Sequence, residues 1–380
     1  MYLLLAWLLA PLAWLRLILG RRPGKLERIL LIQTAKIGDY ICTTPLIRTL
    51  KNCYPDASLT LLVHPVVEPL ARHQPGVDRV LTLPDGTVKG LLGRLAFYRL
   101  LRQGRFDTTI CISPNQAFLL MPFLAGIPRR AAIFPNFGGR SYRLARPFLS
   151  HAESHRQGRM TVETGMALLN QLGCNGPIPA KEIAAAPGAE ERVAPLLAGL
   201  ENRYLVGVGV SSGNKLKELG EKQLVALITG LLNLADDLTV VLVGSVADQR
   251  KAAALAETLN QSRVLDVTGR ISLADLSVLV GRLEAYVGVD SGITYLADAC
   301  GVPVVDIMGP ADAEDQRPVG PKAIVLKPDL PCSPCSHAFL APYDCMFGTR
   351  ACVVEADMQP AVAAAASILR RRSANGAGYI

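Results

Sequence analysis

One carboxylate, Asp39, sits directly after Gly38 in the stretch Arg28 to Leu50, RILLIQTAKIGDYICTTPLIRTL. A carboxylate there has two chemical uses: capping the helix that follows, or taking a proton from a hydroxyl as a general base. Ile29 to Ile32 read as a short strand, Gly38 permits a tight turn, and Ile41, Leu46, Ile47 and Leu50 recur at helical spacing. Open α/β sheets bind ligands past the carboxyl ends of their strands, so a base placed here would face a crevice. Asp290, Ser291 and Gly292 follow a second apolar run and precede a second helix. The unpaired N–H groups of a helix start suit phosphate oxygens, and ordinary capping explains the same residues equally well. In GVGVSSG, Gly207, Gly209 and Gly213 approach a dinucleotide fingerprint, but Ser212 stands where its third glycine belongs. The serines, with Lys215 and Lys217 after them, suit a phosphate loop better than a nicotinamide site.

Between Gly126 and Met160 there are seven arginines (Arg129, Arg130, Arg140, Arg143, Arg146, Arg156, Arg159) against the single acid Glu153. Arginine forks match phosphate and carboxylate groups, so this segment reads as a long basic loop suited to an anionic acceptor. No aromatic interleaving or helix-turn-helix spacing accompanies it, which excludes nucleic acid as the partner behind the net charge of +8. Cys332, Cys335, Cys345 and Cys352 form C-x2-C-x9-C-x6-C, a spacing that a four-thiolate zinc site would tolerate and that reduced, unliganded cysteines explain as well. The reading therefore assigns no metal and no cofactor.

The elements that must hold these groups alternate. Strands near 28–33, 58–63, 79–82 and 107–112 are separated by helical patterns, which implies a parallel sheet. The Pro-, Gly- and Ala-rich run from Asn175 to Glu190 divides this from a second alternation, with strands near 204–210, 238–243, 264–267, 285–288 and 303–307. A chain of 380 residues exceeds the usual size of one core, and half of it is apolar. The division expected is 1–24, an apolar membrane-associating segment; 25–175, an acceptor-binding Rossmann-like domain; 176–200, a linker; 201–357, a donor-binding Rossmann-like domain; and 358–380, a closing helix and tail. The first segment, MYLLLAWLLAPLAWLRLILGRR, has fifteen residues before Arg16. As a helix these reach about 22 Å, short of the roughly 30 Å hydrocarbon layer. Trp7 and Trp14 lie on one helical face, and Arg21 and Arg22 trail it. A surface anchor fits best, ahead of a single span or a helix packed on the protein.

Three separated stretches, KIGDYICTTPLIRTLKNCYPDASLTLLV, VDRVLTLP and GVDSGITYLADACGVPVVDIMGP, resemble the heptosyltransferases, glycosyltransferase family 9, in the same order along the chain. The resemblance implies the GT-B architecture, two doubly wound α/β domains facing a central cleft, and an inverting transfer of heptose from ADP-heptose to a lipopolysaccharide core or similar anionic glycolipid. It implies work at the cytoplasmic face of the inner membrane, with Asp39 as catalytic base. It implies donor contacts at Lys217, Asp290, Ser291, Gly292, Tyr295, Ser212 and Gly244, and acceptor contacts at Thr43, Arg129, Arg130 and Arg140. Tyr295 stands where the family has histidine, and Leu219 and Gly220 replace its aromatic and proline beside the lysine. A transferase with another donor or acceptor, or a noncatalytic nucleotide-sugar binder, are the alternatives.

Overall fold

The computed structural model describes residues 2–19, 24–135, 139–259 and 262–375. The chain divides into two compact units, Met1–Lys181 and Glu182–Ile380. Arg21 and Arg22, singled out above, lie outside the described residues.

The first unit contains strands β1 (Arg28–Gln33), β2 (Ser58–Val63), β3 (Arg79–Thr82), β4 (Thr108–Cys111), β5 (Arg129–Pro135) and β6 (His151–His155). Its helices are α1 (Tyr2–Leu19), α2 (Ile37–Cys53), α3 (Glu68–Ala71), α4 (Gly90–Gly104), α5 (Gln116–Leu124), α6 (Gly139–Ala145) and α7 (Thr161–Asn170). All six strands pair in parallel, in the order β3-β2-β1-β4-β5-β6, with Leu31 of β1 opposite Leu61 on one side and Ile110 on the other. Because right-handed crossovers leave β1 in opposite directions, the helices divide between the two faces. On one face, Leu30 and Ile32 of β1 share a core with Phe97 of α4, Phe118, Leu119 and Phe123 of α5, and Ala145 of α6. On the other, α2 packs against α7 so closely that a Cβ at Gly165 would stand 2.4 Å from Leu46 Cδ1.

The second unit repeats this plan. Its strands are β7 (Tyr204–Gly209), β8 (Leu238–Val243), β9 (Val264–Asp266), β10 (Ala285–Val289), β11 (Val304–Ile307) and β12 (Ala323–Leu326). Its helices are α8 (Ala189–Val193), α9 (Glu221–Leu232), α10 (Gln249–Leu259), α11 (Leu276–Gly281), α12 (Gly292–Ala299), α13 (Ala351–Val354) and α14 (Gln359–Asn375). The order β12-β11-β10-β7-β8-β9 has the same topology as the first sheet, all parallel. Helix α14 packs on α9 and on β10 to β12 of its own unit, placing Ala361, Val362, Ala365 and Ile368 in the core with Leu224, Ile228 and Leu231.

Three local expectations change. Segment 126–160 is not a loop, because β5, α6 and β6 occupy it. Its arginines concealed a strand: Arg130, on β5, is 4% exposed and folds back to donate to the carbonyls of Phe148 (2.6 Å), Ile127 (2.5 Å) and Pro128 (2.7 Å). The guanidinium also lies over the Phe123 ring, 5.5 Å from its centroid, and burial brings its pKa down to about 10. Helix α2 starts at Ile37 rather than near 41, which puts Asp39 inside its first turn. Helix α1, expected first as a surface anchor, packs on the first unit: Ala10 and Ala13 are buried, and Trp7 and Trp14 meet Phe148 and Phe123 edge-on at 5.0 and 5.4 Å.

Arg130→Ala leaves three carbonyls, two of them buried, short of a donor and opens a cavity, so it should lower the unfolding free energy by about 2 to 4 kcal/mol. Urea denaturation of this variant beside Arg140→Ala, an exposed position, checks it; the second should sit within about 0.5 kcal/mol of wild type.

Candidate functional site

Both sheets reverse direction at one seam, between β1 and β4 in the first unit and between β7 and β10 in the second. Neighbouring crossovers leave to opposite faces there, opening a crevice at the carboxyl ends of the strands. Asp39 follows β1, and Ser212 and Asp290 follow β7 and β10, so the sequence-derived carboxylates flank the two seams.

In the first unit the seam is tied by Gln33, the last residue of β1 and buried. Its Nε2 donates to Thr43 Oγ1 at 2.8 Å and to the Asp39 carbonyl at 3.4 Å, while its Oε1 accepts from Ala35 N–H at 3.2 Å and from the Ser113 hydroxyl beyond β4. Thr43 Oγ1 in turn donates to the Asp39 carbonyl at 2.8 Å. One amide thus fixes the backbone of Asp39 from both flanking strands. The Asp39 carboxylate is half-buried and accepts from Lys36 N–H at 3.3 Å, so it does cap α2, as local turn chemistry suggests. The helix behind it contains Pro45, which denies the Ile41 carbonyl its usual partner. The Thr44 hydroxyl supplies that bond at 2.8 Å.

In the second unit, Ser291 is the N-cap residue of α12. Asp290 is 7% exposed, and its carboxylate is held from two sides: Tyr295 OH donates to Oδ1 at 2.5 Å, and the Lys217 ammonium pairs with Oδ2. Lys217 comes from a 3-10 turn, Lys215–Lys217, entered through Asn214, whose side chain accepts from Leu216 N–H at 3.0 Å. Lys215 and Lys217 therefore point to different partners. Lys217 is carried to the start of α12, whereas Lys215 points to Glu218 at 2.6 Å and is mostly solvated. Ser212 lies buried past β7. Gly244, past β8, approaches the turn in which Ser245 N–H and Oγ donate to Asp248 Oδ2 at 2.8 and 2.6 Å. Burial opposes the charge of Asp248, but hydrogen bonds from Ser245 and Ser211 and the nearby Lys215 ammonium hold its pKa below the usual value.

Several expected contacts are relocated. Arg129 and Arg130 open β5, whose Arg129 registers with Thr108 at the start of β4, so both lie at the amino edge of the sheet, opposite Asp39. Arg130 is taken up by the three carbonyls described above, and Arg129 donates to the Gly24 carbonyl at 3.2 Å. Thr43 is 3% exposed and supports the Asp39 backbone from beneath. Tyr295, fully buried, positions Asp290. Arg140, exposed on α6 past β5, and Arg156, exposed past β6, lie toward the carboxyl edge. Gly207 and Gly209 make room for a tyrosine: a Cβ at Gly209 would stand 2.3 Å from Tyr286 OH. The four late cysteines are free thiols in the irregular excursion between β12 and α13 and in its first turn. Close by, Asp312, Asp315 and His337 converge, with His337 Nδ1 at 3.0 Å from Asp312 Oδ2.

Sequence reading missed Gln33 and Asp306. Asp306 stands in β11 opposite Gly288, fully buried, with neither carboxylate oxygen hydrogen-bonded. Burial, reinforced by the nearby Asp290 charge, pushes its pKa well above the ordinary carboxylate value, while the Lys217 ammonium pulls the other way. A lone aspartate in the apolar run VVDI was the visible signal.

Residues 94–341 match the family model described as glycosyltransferase family 9 (heptosyltransferase). The chain is 22% identical over 286 residues to lipopolysaccharide heptosyltransferase 3 of Escherichia coli, covering 74% of this chain and 83% of that protein. Among solved structures, a family 9 glycosyltransferase from Veillonella parvula superposes with a TM-score of 0.76 at 20% identity, covering 93% of this chain and all of that one. The E. coli ADP-heptose lps heptosyltransferase II superposes at 0.71 and 20% identity, covering 91% and 99%. These likenesses identify the paired-Rossmann arrangement as the GT-B fold.

The Asp306 carboxyl keeps its proton in the folded chain to higher pH than in the unfolded one. Well below pH 4, both states hold the proton and burial costs little. As pH rises from there toward the folded value, the unfolded chain alone releases it, and stability declines by up to about 1.4 kcal/mol per pH unit. Asp306→Asn removes that titration, so its stability relative to wild type should increase between pH 5 and pH 8. Melting curves of both proteins across that range test this, and parallel curves would contradict it.

Proposed function

Because the chain belongs to glycosyltransferase family 9, the heptosyltransferases, we propose that it moves a heptose from ADP-heptose to the lipopolysaccharide core or a similar anionic glycolipid, with inversion, at the cytoplasmic face of the inner membrane. The observation that carries the reading is the pair of seams. One bears a half-buried carboxylate, and the other a lysine held at a helix start. Support for the donor comes from the solved relative named for ADP-heptose.

In this reading the diphosphate lies at the amino end of α12, against the backbone N–H groups of Ser291 and Gly292 and the Lys217 ammonium. Asp290 orients that ammonium, and Tyr295 orients Asp290. Hydrogen bonds and positive charge placed where the departing ADP gains charge stabilise the transition state. Ser212 and Gly244, past β7 and β8, line the nucleotide's path. On the first unit Arg140 engages anionic groups of the acceptor. Asp39 takes the proton from the attacking hydroxyl as the new glycosidic C–O bond forms and the bond from the sugar to the diphosphate breaks. Gln33 and Thr43 hold the Asp39 backbone still, which matters because small misplacement of a base is expensive in rate.

Asp39→Asn keeps size and capping ability but accepts no proton at neutral pH. Transfer at saturating donor should fall by about 10² to 10⁴ with the melting temperature nearly unchanged. A rate within a few-fold of wild type would remove Asp39 from the mechanism, and a collapsed melting temperature would leave it a cap alone.

Lys217→Ala should weaken ADP-heptose binding by about 1 to 3 kcal/mol in calorimetry, whereas Lys215→Ala should change it little. The reverse pattern would assign the diphosphate contact to Lys215.

A further inference from the structure

Helix α1 is apolar on both of its long faces. The row Trp7, Ala10, Trp14 and Leu17 packs on the body of the first unit. The opposite row, Leu8, Leu12, Leu15 and Leu19, with Ile18 beside it, is 52 to 77% exposed. A helix that is hydrophobic all round belongs in an apolar medium on each side, and only one side here has protein. Three further leucines of the same helical layer, Leu91, Leu92 and Leu95 of α4, also face solvent.

The charge on this layer is one-sided. The sequences of α1, α4, α5, α6 and the turn Arg146–Phe148 contain no aspartate or glutamate. Lys89, Arg99, Arg102, Arg105, Arg143 and Arg146 are exposed on or beside it. A second copy docked on this face would set arginine against arginine, which disfavours a symmetric dimer. Anionic lipid headgroups above an apolar acyl layer complement both features at once. The half-exposed Trp7 and Trp14 suit the headgroup boundary, where an amphipathic ring has both media in reach. Spanning is a different matter: among the described residues no helix is long and apolar enough to cross a membrane.

We propose that the outer face of this helical layer docks the folded first unit onto an anionic bilayer, with α1 lying in the membrane plane as a fixed part of the domain. This deepens the membrane location in the proposed function and rests on it. The segment is then no tether: it sets which side of the first unit faces the lipid, and it keeps the carboxyl edge bearing Asp39 and Arg140 at a constant height beside a lipid-borne acceptor.

Vesicle flotation of the full chain tests this, using phosphatidylcholine vesicles with and without phosphatidylglycerol. Wild type should float with the anionic vesicles, bind the neutral ones about tenfold less, and lose part of its binding in high salt. The double variant Leu12→Glu, Leu15→Glu should lose anionic-vesicle binding at least about tenfold. Both side chains face solvent, so its thermal melt should match wild type. Equal flotation of the two proteins overturns the proposal, as does a lipid-free wild-type dimer that the double variant splits. Transfer to a water-soluble acceptor saccharide should be the same for both proteins. Absence of that transfer from both, with wild type alone floating, would count against the glycosyl-transfer reading and leave the docking face standing.

Discussion

Everything functional in this chain hangs on the handedness of its crossovers. A right-twisted parallel sheet accepts only right-handed connections, so a sheet that grows outward from its middle must send helices to opposite faces on either side of the starting strand. Where the two directions part, the strand ends are left uncovered. Both units obey this constraint with the same strand order, and in both the groups with chemical potential follow the strands that bound the seam. Gln33 shows how the constraint is used. By bonding to loops from β1 and β4, it makes the crevice a fixed floor.

The second unit places more charge out of water than stability alone would select. Lys217, Asp290 and Asp306 form a group in which one carboxyl is paired and hydrogen-bonded and the other has no hydrogen bond. Such arrangements gain little net free energy over a well-packed apolar core. Their value lies in holding an ammonium in one direction at the mouth of α12, ready for an anionic ligand. Tyr286 serves the same region from beneath, and the glycines beside it are its accommodation. A glycine-rich strand end can thus imitate a phosphate loop in sequence while doing a packing job.

The strands of both sheets were largely legible, because buried parallel strands are continuous apolar runs. β1, β2, β3 and β8 fall where their composition places them. β12, the four-residue run AIVL, escaped despite its apolar composition, and so did two elements whose sequence carries another message. β5 begins with Arg129 and Arg130, and β6 is the polar edge HAESH, so charge masked both strands. A guanidinium that satisfies three carbonyls is not visible one residue at a time, since its partners lie up to eighteen positions away. The same holds for the site. That Asp39 and Asp290 follow strands beside the seams was readable from type and position, but the bonds of Gln33 and Thr43 exist only once the strands are paired. Tyr295 was legible as a substitution, but its bond to Asp290 was not.

Helix α1 also has a temporal consequence. Its inner tryptophans rest on Phe123 and Phe148, so Trp7 leaves the ribosome roughly 140 residues before Phe148. At roughly 5–20 residues per second that interval is on the order of ten seconds. Throughout it, one of the most apolar stretches of the chain has no folded surface to rest on. A lipid surface or a chaperone that shelters it during that wait would also decide whether the finished domain closes over its own first helix or is captured by something else on the way.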